Sequence, residues 1–157
     1  MNPLAQIVDW FRKCKPEPTE KDFNTQMGVH FEEFGEMFDA IGGRDAASQA
    51  RIDEANRIIK ALAEDTKKGI IQIGITDPVE FADAIGDQVV TGPGAARIAN
   101  ILILETCQEI ANSNDSKFGE DGNPIFDENR KVMKGPNYFK PNLAPFVQDA
   151  RFVIESV

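Results

Sequence analysis

The chain has 157 residues, 41% of them apolar, and a formal net charge of −9. That is enough chain to bury the core of one ordinary domain, and its composition excludes a disordered polymer. The negative balance argues against a nucleic-acid backbone as main partner, since phosphate polymers want a basic surface, yet leaves room for a small phosphorylated ligand held through a metal ion.

Leu4, Ile7, Val8 and Phe11 recur at helical spacing. A short amphipathic helix is therefore predicted over 3–13, ended by Lys15-Pro16-Glu17-Pro18 because proline cannot continue it. The next helix runs from Thr19 to Ile41, entered through Thr19 or Asp22 and stopped by Gly42-Gly43. A third is predicted from Asp45 to Lys68, with Gly69 as its stop. Residues 70–75, IIQIGI, read as an extended connector or as the start of a loop packed on the core. Asp77-Pro78-Val79-Glu80 opens a helix, with Asp77 as cap and Pro78 in the first turn, running to about Thr91. Gly92-Pro93-Gly94 is predicted to break the chain, and Ala95 to Ala111 to form the most buried helix, with Cys107 packed in it as a small hydrophobe.

After Asn112 the character changes to glycine, asparagine, proline and lysine. Pro124-Ile125-Phe126 and Lys131-Val132-Met133 flank Asp127-Glu128-Asn129-Arg130, the pattern of a small β-hairpin. A last short helix is predicted over 145–156, with Phe146, Val147, Ala150, Phe152 and Val153 on or near its buried side. The fold expected is all-α: one domain over 1–157, a bundle of four or more helices with a small irregular C-terminal extension at 113–143. Cys14 and Cys107 are too few and too far apart for a disulfide framework or a zinc ligand set. There is no signal peptide and no apolar run long enough to span a bilayer, so the expected place is a reducing cytoplasm, with no membrane partner.

The chemistry concentrates in 29–40, VHFEEFGEMFDA. On a helix, Glu32 and Glu36 are four apart and Glu33 and Glu36 three apart, so their side chains meet on one flank. Like charges held together cost free energy unless a cation offsets them. Glu80 and Asp83 repeat the spacing on a later helix, with Asp87 one turn on. Glu80 also sits where a capping box has its acid, which would give it no chemistry. Carboxylates from two such helices make an all-oxygen site suited to magnesium or manganese. His30 is the one histidine, so a di-iron bundle, which wants two Glu-x-x-His pairs, fits poorly. A magnesium site of this kind suits attack of water on phosphorus, with Lys117, Lys131 and Lys134 of the late loop as candidates to hold phosphates. No Gly-x-x-x-x-Gly-Lys-Ser/Thr loop is present.

Glu32-Glu33-x-x-Glu36 followed by Glu80-x-x-Asp83 resembles the signature of the MazG-like, all-α nucleoside triphosphate pyrophosphohydrolases. Ser113-Asn114-x-Ser116-Lys117-Phe118, Asp121-Gly122-x-Pro124-Ile125-Phe126 and Lys131-x-x-Lys134-Gly135-Pro136-Asn137-Tyr138 resemble a phage-encoded branch of that superfamily. So do Gln26-x-Gly28-Val29-His30-Phe31 and Asp87-Gln88-x-Val90-Thr91-Gly92. The resemblance implies metal-dependent cleavage between the α and β phosphates of a (d)NTP, giving (d)NMP and pyrophosphate, in a dimer or tetramer in the host cytoplasm. It implies a purine, guanine first, as base. Carried over, Glu33, Glu36, Glu80 and Asp83 are metal ligands, and Glu32 is a further ligand or the group that positions water. Asn114, Lys117, Lys131, Lys134 and Tyr138 fall to the substrate. The chain departs from the pattern in the longer interval between Glu36 and Glu80 and in Arg130 at a turn where glycine is usual. Competing readings are a pyrophosphohydrolase for dUTP, dCTP or phosphoribosyl-ATP, and a nucleotide- or metal-binding regulatory domain.

Overall fold

A computed structural model describes residues 2–127 and 131–154. In chain order it has α1 (Pro3–Cys14), α2 (Glu20–Asp39), α3 (Ala46–Lys67), α4 (Pro78–Ile98) and α5 (Ile103–Asp115), then a single 3-10 turn at Ala144–Phe146. The fold is all-α, as the sequence predicts. Among the described residues the hairpin contributes one antiparallel bridge, between Phe126 and Val132, rather than a strand. Its turn, Glu128 to Arg130, lies outside the described residues.

The caps explain where the helices begin. Asn2 accepts from the Leu4 amide with Pro3 at the first position of α1. Thr19 and Asp22 form a reciprocal capping box at the start of α2. Asp45 accepts from the Ser48 amide at the start of α3, and Asp77 from the amides of Val79 and Glu80 at the start of α4. Each satisfies amides that the first turn leaves without a helical partner.

The boundary between the fourth and fifth helices differs from the expected one. α4 runs through Gly92-Pro93-Gly94 without a break and carries Pro93 in its interior. Proline there costs the carbonyl of Val89 its donor, and on this exposed helix solvent can take that carbonyl. The stop comes instead at Asn100, whose φ of 58° is left-handed. The Asn100 amide donates to Arg97 O and the Ile101 amide to Ala96 O, the paired bonds of a Schellman ending. The single helix expected over 95–111 is thus shared between the end of α4 and the start of α5. It is not the most buried one: Ile98 and Leu104 are 70% and 74% exposed. Cys14, not Cys107, is the buried thiol.

By contact the chain divides into two units, one of Met1–Pro16 and Ala82–Val153, the other of Glu17–Phe81 and Ile154–Val157. In the first, α1 packs on α5 through Gln6, which donates to Asp115, and Trp10, whose indole donates to Asn114 O. Cys14, Ala111 and Phe118 are its buried apolar side chains. The late segment is tied down by backbone: Leu102 N donates to Phe146 O and Arg151 N to Ala99 O. Those bonds replace the helix expected over 145–156, of which only the 3-10 turn forms. Phe152 has a φ of 64°, outside the helical range, and is 64% exposed. Residues 155–156 of that expectation lie outside the described residues.

In the second unit α2 and α3 pack antiparallel, Gly28 opposite Lys67, Gly35 opposite Lys60 and Asp39 opposite Asn56. Residues 70–75 leave α3 as an irregular connector, bent at Ile70 and Ile71, whose amides donate to Asp65 O. Asn24, buried on α2, donates to the carbonyls of Thr66 and Ile71 and accepts from the Ile73 amide at 3.0 Å. That one side chain fixes the connector on the helix pair.

Candidate active site between helices α2 and α3

The α2–α3 seam is set by small residues. A Cβ on Gly28 would lie 2.7 Å from Lys67 Cγ, and one on Gly35 would lie 3.0 Å from Lys60 Cγ. Two glycines seven apart therefore admit the stems of two lysines seven apart. Each ammonium then reaches a carboxylate of α2. Lys67 Nζ lies 2.7 Å from Glu32 Oε1 and 3.4 Å from Glu64 Oε2. Lys60 Nζ donates to both oxygens of Asp39, at 2.7 and 2.6 Å, and Asn56 Nδ2 donates to the same carboxylate.

Glu32, Glu36, Asp39, Lys60, Ala63, Glu64 and Lys67 together line a cavity of about 300 Å³. The hydrogen bond from Lys60 holds the Asp39 carboxyl below its ordinary value, with Asn56 adding to it. Lys68 and then Lys67 do the same for Glu64. The hydrogen bond to Glu32 raises Lys67. Glu32 is half-buried, while Glu33 and Glu36 are exposed. Glu33, about 100° further round α2 than Glu32, is not among the cavity residues.

Glu80 and Asp83 lie in the first turns of α4, with Asp87 next along the same flank, and all three are exposed. The unit division falls between Phe81 and Ala82, separating Glu80 from Asp83. Among the described residues no group of three or more His, Cys, Asp or Glu side chains converges closely enough to hold a metal ion. The acids come as pairs on helices, and their all-oxygen chemistry suits a hard dication. His30 packs edge-on against Phe34, ring centres 5.2 Å apart.

The late-loop residues lie in the other unit. Lys117 Nζ donates to Asn114 Oδ1 at 2.7 Å and sits 5.7 Å from the Trp10 ring centre. Phe118 is buried and stacked on Trp10, a packing role. Lys134 lies 4.6 Å over the ring of Tyr138. The side chain of Lys131 is exposed beside the Phe126–Val132 bridge. The structure therefore joins Asn114 to Lys117 and Lys134 to Tyr138, as well as Glu32 to Glu36 through their cavity. Lys60 and Lys67 have no motif to announce them. The one sequence signal was their seven-residue spacing, matched by that of Gly28 and Gly35.

No family model matches the sequence, and no curated protein does. The fold defines the chain as an all-α helical protein of a known architecture. It is similar to the structure of a protein from Exiguobacterium sp. 255-15 named a "putative NTP pyrophosphohydrolase", with a TM-score of 0.62 and 19% identity over 94% of this chain and 92% of that chain. Among the described residues no helix is long and apolar enough to cross a membrane.

Proposed function

We propose that the chain is a metal-dependent (d)NTP pyrophosphohydrolase of the MazG-like kind, cleaving between the α and β phosphates. The observation that carries this reading is that Glu32 and Glu36, two acids of the motif, line one polar cavity in a chain with the fold of the Exiguobacterium protein. Glu33, Glu36, Glu80 and Asp83 would hold magnesium or manganese. The ion, when bound, supplies positive charge to the phosphoryl oxygens and acidity to water. Glu32 orients a water toward the α phosphorus and accepts its proton. The P–O bond to the bridging oxygen breaks, and pyrophosphate leaves with that electron pair. Asn114, Lys117, Lys131, Lys134 and Tyr138 take the substrate, the lysines offsetting phosphate charge.

The reading includes a dimer or tetramer. It is supported by α4, in which no residue is buried and Val79 and Val90 are 81% and 69% exposed. Light scattering on the purified chain measures that directly.

Product analysis tests the reaction. Each NTP and dNTP is incubated with the protein and magnesium or manganese, and the products are separated. Monophosphate and pyrophosphate from one or two bases, a purine first, lost in Glu36→Gln, is the expected result. Diphosphate with orthophosphate would overturn the cleavage position. Binding without turnover would make the chain a regulatory domain.

A further inference from the structure

Lys67 ends α3 in a Lys-Lys-Gly run that reads as an ordinary basic helix terminus. Its placement is not that of a terminal lysine. Gly28 leaves room for its stem against α2, its side chain is only 25% exposed, and its ammonium bonds Glu32 Oε1 at 2.7 Å. Lys68, one residue on, is 60% exposed, pairs with Glu64 at 2.8 Å and does not line the cavity. One lysine is therefore built into the α2–α3 seam, and its neighbour is on the surface.

We propose that Lys67 is a positioning residue for Glu32, which it fixes through Oε1 and withholds from metal ligation, leaving the second oxygen to orient water. The inference rests on the pyrophosphohydrolase reading and divides the acids of α2 by role. A dication and an ammonium on the same carboxylate repel one another, so the carboxylate that holds Lys67 is a poor metal ligand. Glu36 lines the same cavity and, with Glu33 further round α2, is left to the metal in this division. A lysine stem laid in a glycine groove has also lost much of its rotamer freedom, so the carboxylate is held at little further entropic cost. Gly28 thereby contributes to the site without touching substrate.

The test compares Lys67→Met, Lys67→Arg, Lys68→Met, Glu32→Gln and Glu36→Gln. Three readouts are taken: thermal midpoint, Mn²⁺ binding by electron paramagnetic resonance without nucleotide, and kcat and KM on the nucleotide turned over. In Lys67→Met, kcat falls about 100-fold with KM little changed, as for a misplaced catalytic group. Lys67→Arg recovers most of the rate, and Lys68→Met leaves it unchanged. Mn²⁺ binding is kept in Lys67→Met and Glu32→Gln and lost in Glu36→Gln. Wild-type kcat in Lys67→Met, or loss of Mn²⁺ binding in Glu32→Gln, would overturn the proposal. If the wild type turns over no nucleotide, the pyrophosphohydrolase reading fails by itself. The Mn²⁺ titrations of Glu32→Gln and Glu36→Gln then decide the division of the acids without it. A wild type that binds no Mn²⁺ would overturn both.

Discussion

Gly28 and Lys67 meet so closely that a Cβ on Gly28 would stand 2.7 Å from Lys67 Cγ and 2.8 Å from Lys67 N. The second of these atoms is backbone and cannot swing aside. The two helices are therefore spaced by a glycine, and the lysine reaches Glu32 because of that spacing.

Gly28→Ala should force α2 and α3 apart and cost roughly 1–3 kcal/mol, the usual range for overpacking a seam. Gly35→Ala should cost less, since its nearest neighbour is the flexible Lys60 side chain at 3.0 Å. Gly86 has nothing within 4 Å, so Gly86→Ala on α4 should stabilise by about 1 kcal/mol. Urea denaturation of the three variants checks the order. A destabilising Gly86→Ala would show that another backbone approaches α4 there.

Asn24 is the buried polar side chain that holds the connector after α3. Asn24→Leu strands the carbonyl of Ile71 and the amide of Ile73, and takes one donor from the carbonyl of Thr66, which keeps the Gly69 amide. The expected loss is about 3 kcal/mol, the cost of leaving such groups unpaired. Hydrogen exchange at the Ile73 amide should rise with it. Unchanged protection would show that other contacts fix the connector.

Asn114 and Lys117 share a 2.7 Å hydrogen bond and should act on substrate as a unit. Lys117→Met and Asn114→Ala should each raise KM about tenfold, and the double variant should raise it by little more than either alone. Additive effects in the double-mutant cycle would show that the two residues meet the substrate separately.

Stability should weaken in acid. Asp39, Glu64 and Asp45 are held below their ordinary values, Asp39 first by the hydrogen bond from Lys60, Glu64 by Lys68, and Asp45 by the backbone and hydroxyl of Ser48. The unfolded chain then binds these protons more readily, so their contribution is whole above the ordinary values of 3.8 and 4.5 and is lost as pH falls through the folded ones. Lys67 has the opposite sign: its contribution is whole below 10.5 and lost as pH rises through its raised folded value. Asp45→Ala should lower the thermal midpoint by a few degrees at neutral pH, and the gap should close in acid below the ordinary value. A gap independent of pH would show that the Asp45 charge plays no part in the cap.

Cys14 should resist thiol reagents until the chain unfolds, because burial pushes its thiol up to about 11. Cys107, half-buried on α5, should react first. Mass spectrometry after brief alkylation distinguishes the two.

Much of the secondary structure was legible in the sequence because its signals act within one turn. Thr19 and Asp77 cap the helices they were expected to open, and Gly69, with a φ of 70°, ends α3 where a glycine stop was expected. The boundary at Gly92-Pro93-Gly94 was illegible for the same reason. The local rule weighs Pro93 against its own carbonyl partner, whereas α4 ends where Asn100 can turn left-handed and its carbonyls find the amides of Asn100 and Ile101.

The acids of the site were visible by spacing, since a helix places residues three and four apart side by side whatever surrounds it. Which of them holds a lysine was not visible. Nothing within a turn of Glu32 names Lys67, 35 residues later. By itself the sequence determined α1 to α3, the start of α4, the carboxylate flanks of α2 and α4, and an all-α fold. Tertiary structure alone decided the antiparallel register of α2 on α3, because that register follows from the joint packing of Gly28, Gly35, Lys60 and Lys67 across two helices, an interaction that exists only once both have formed and met.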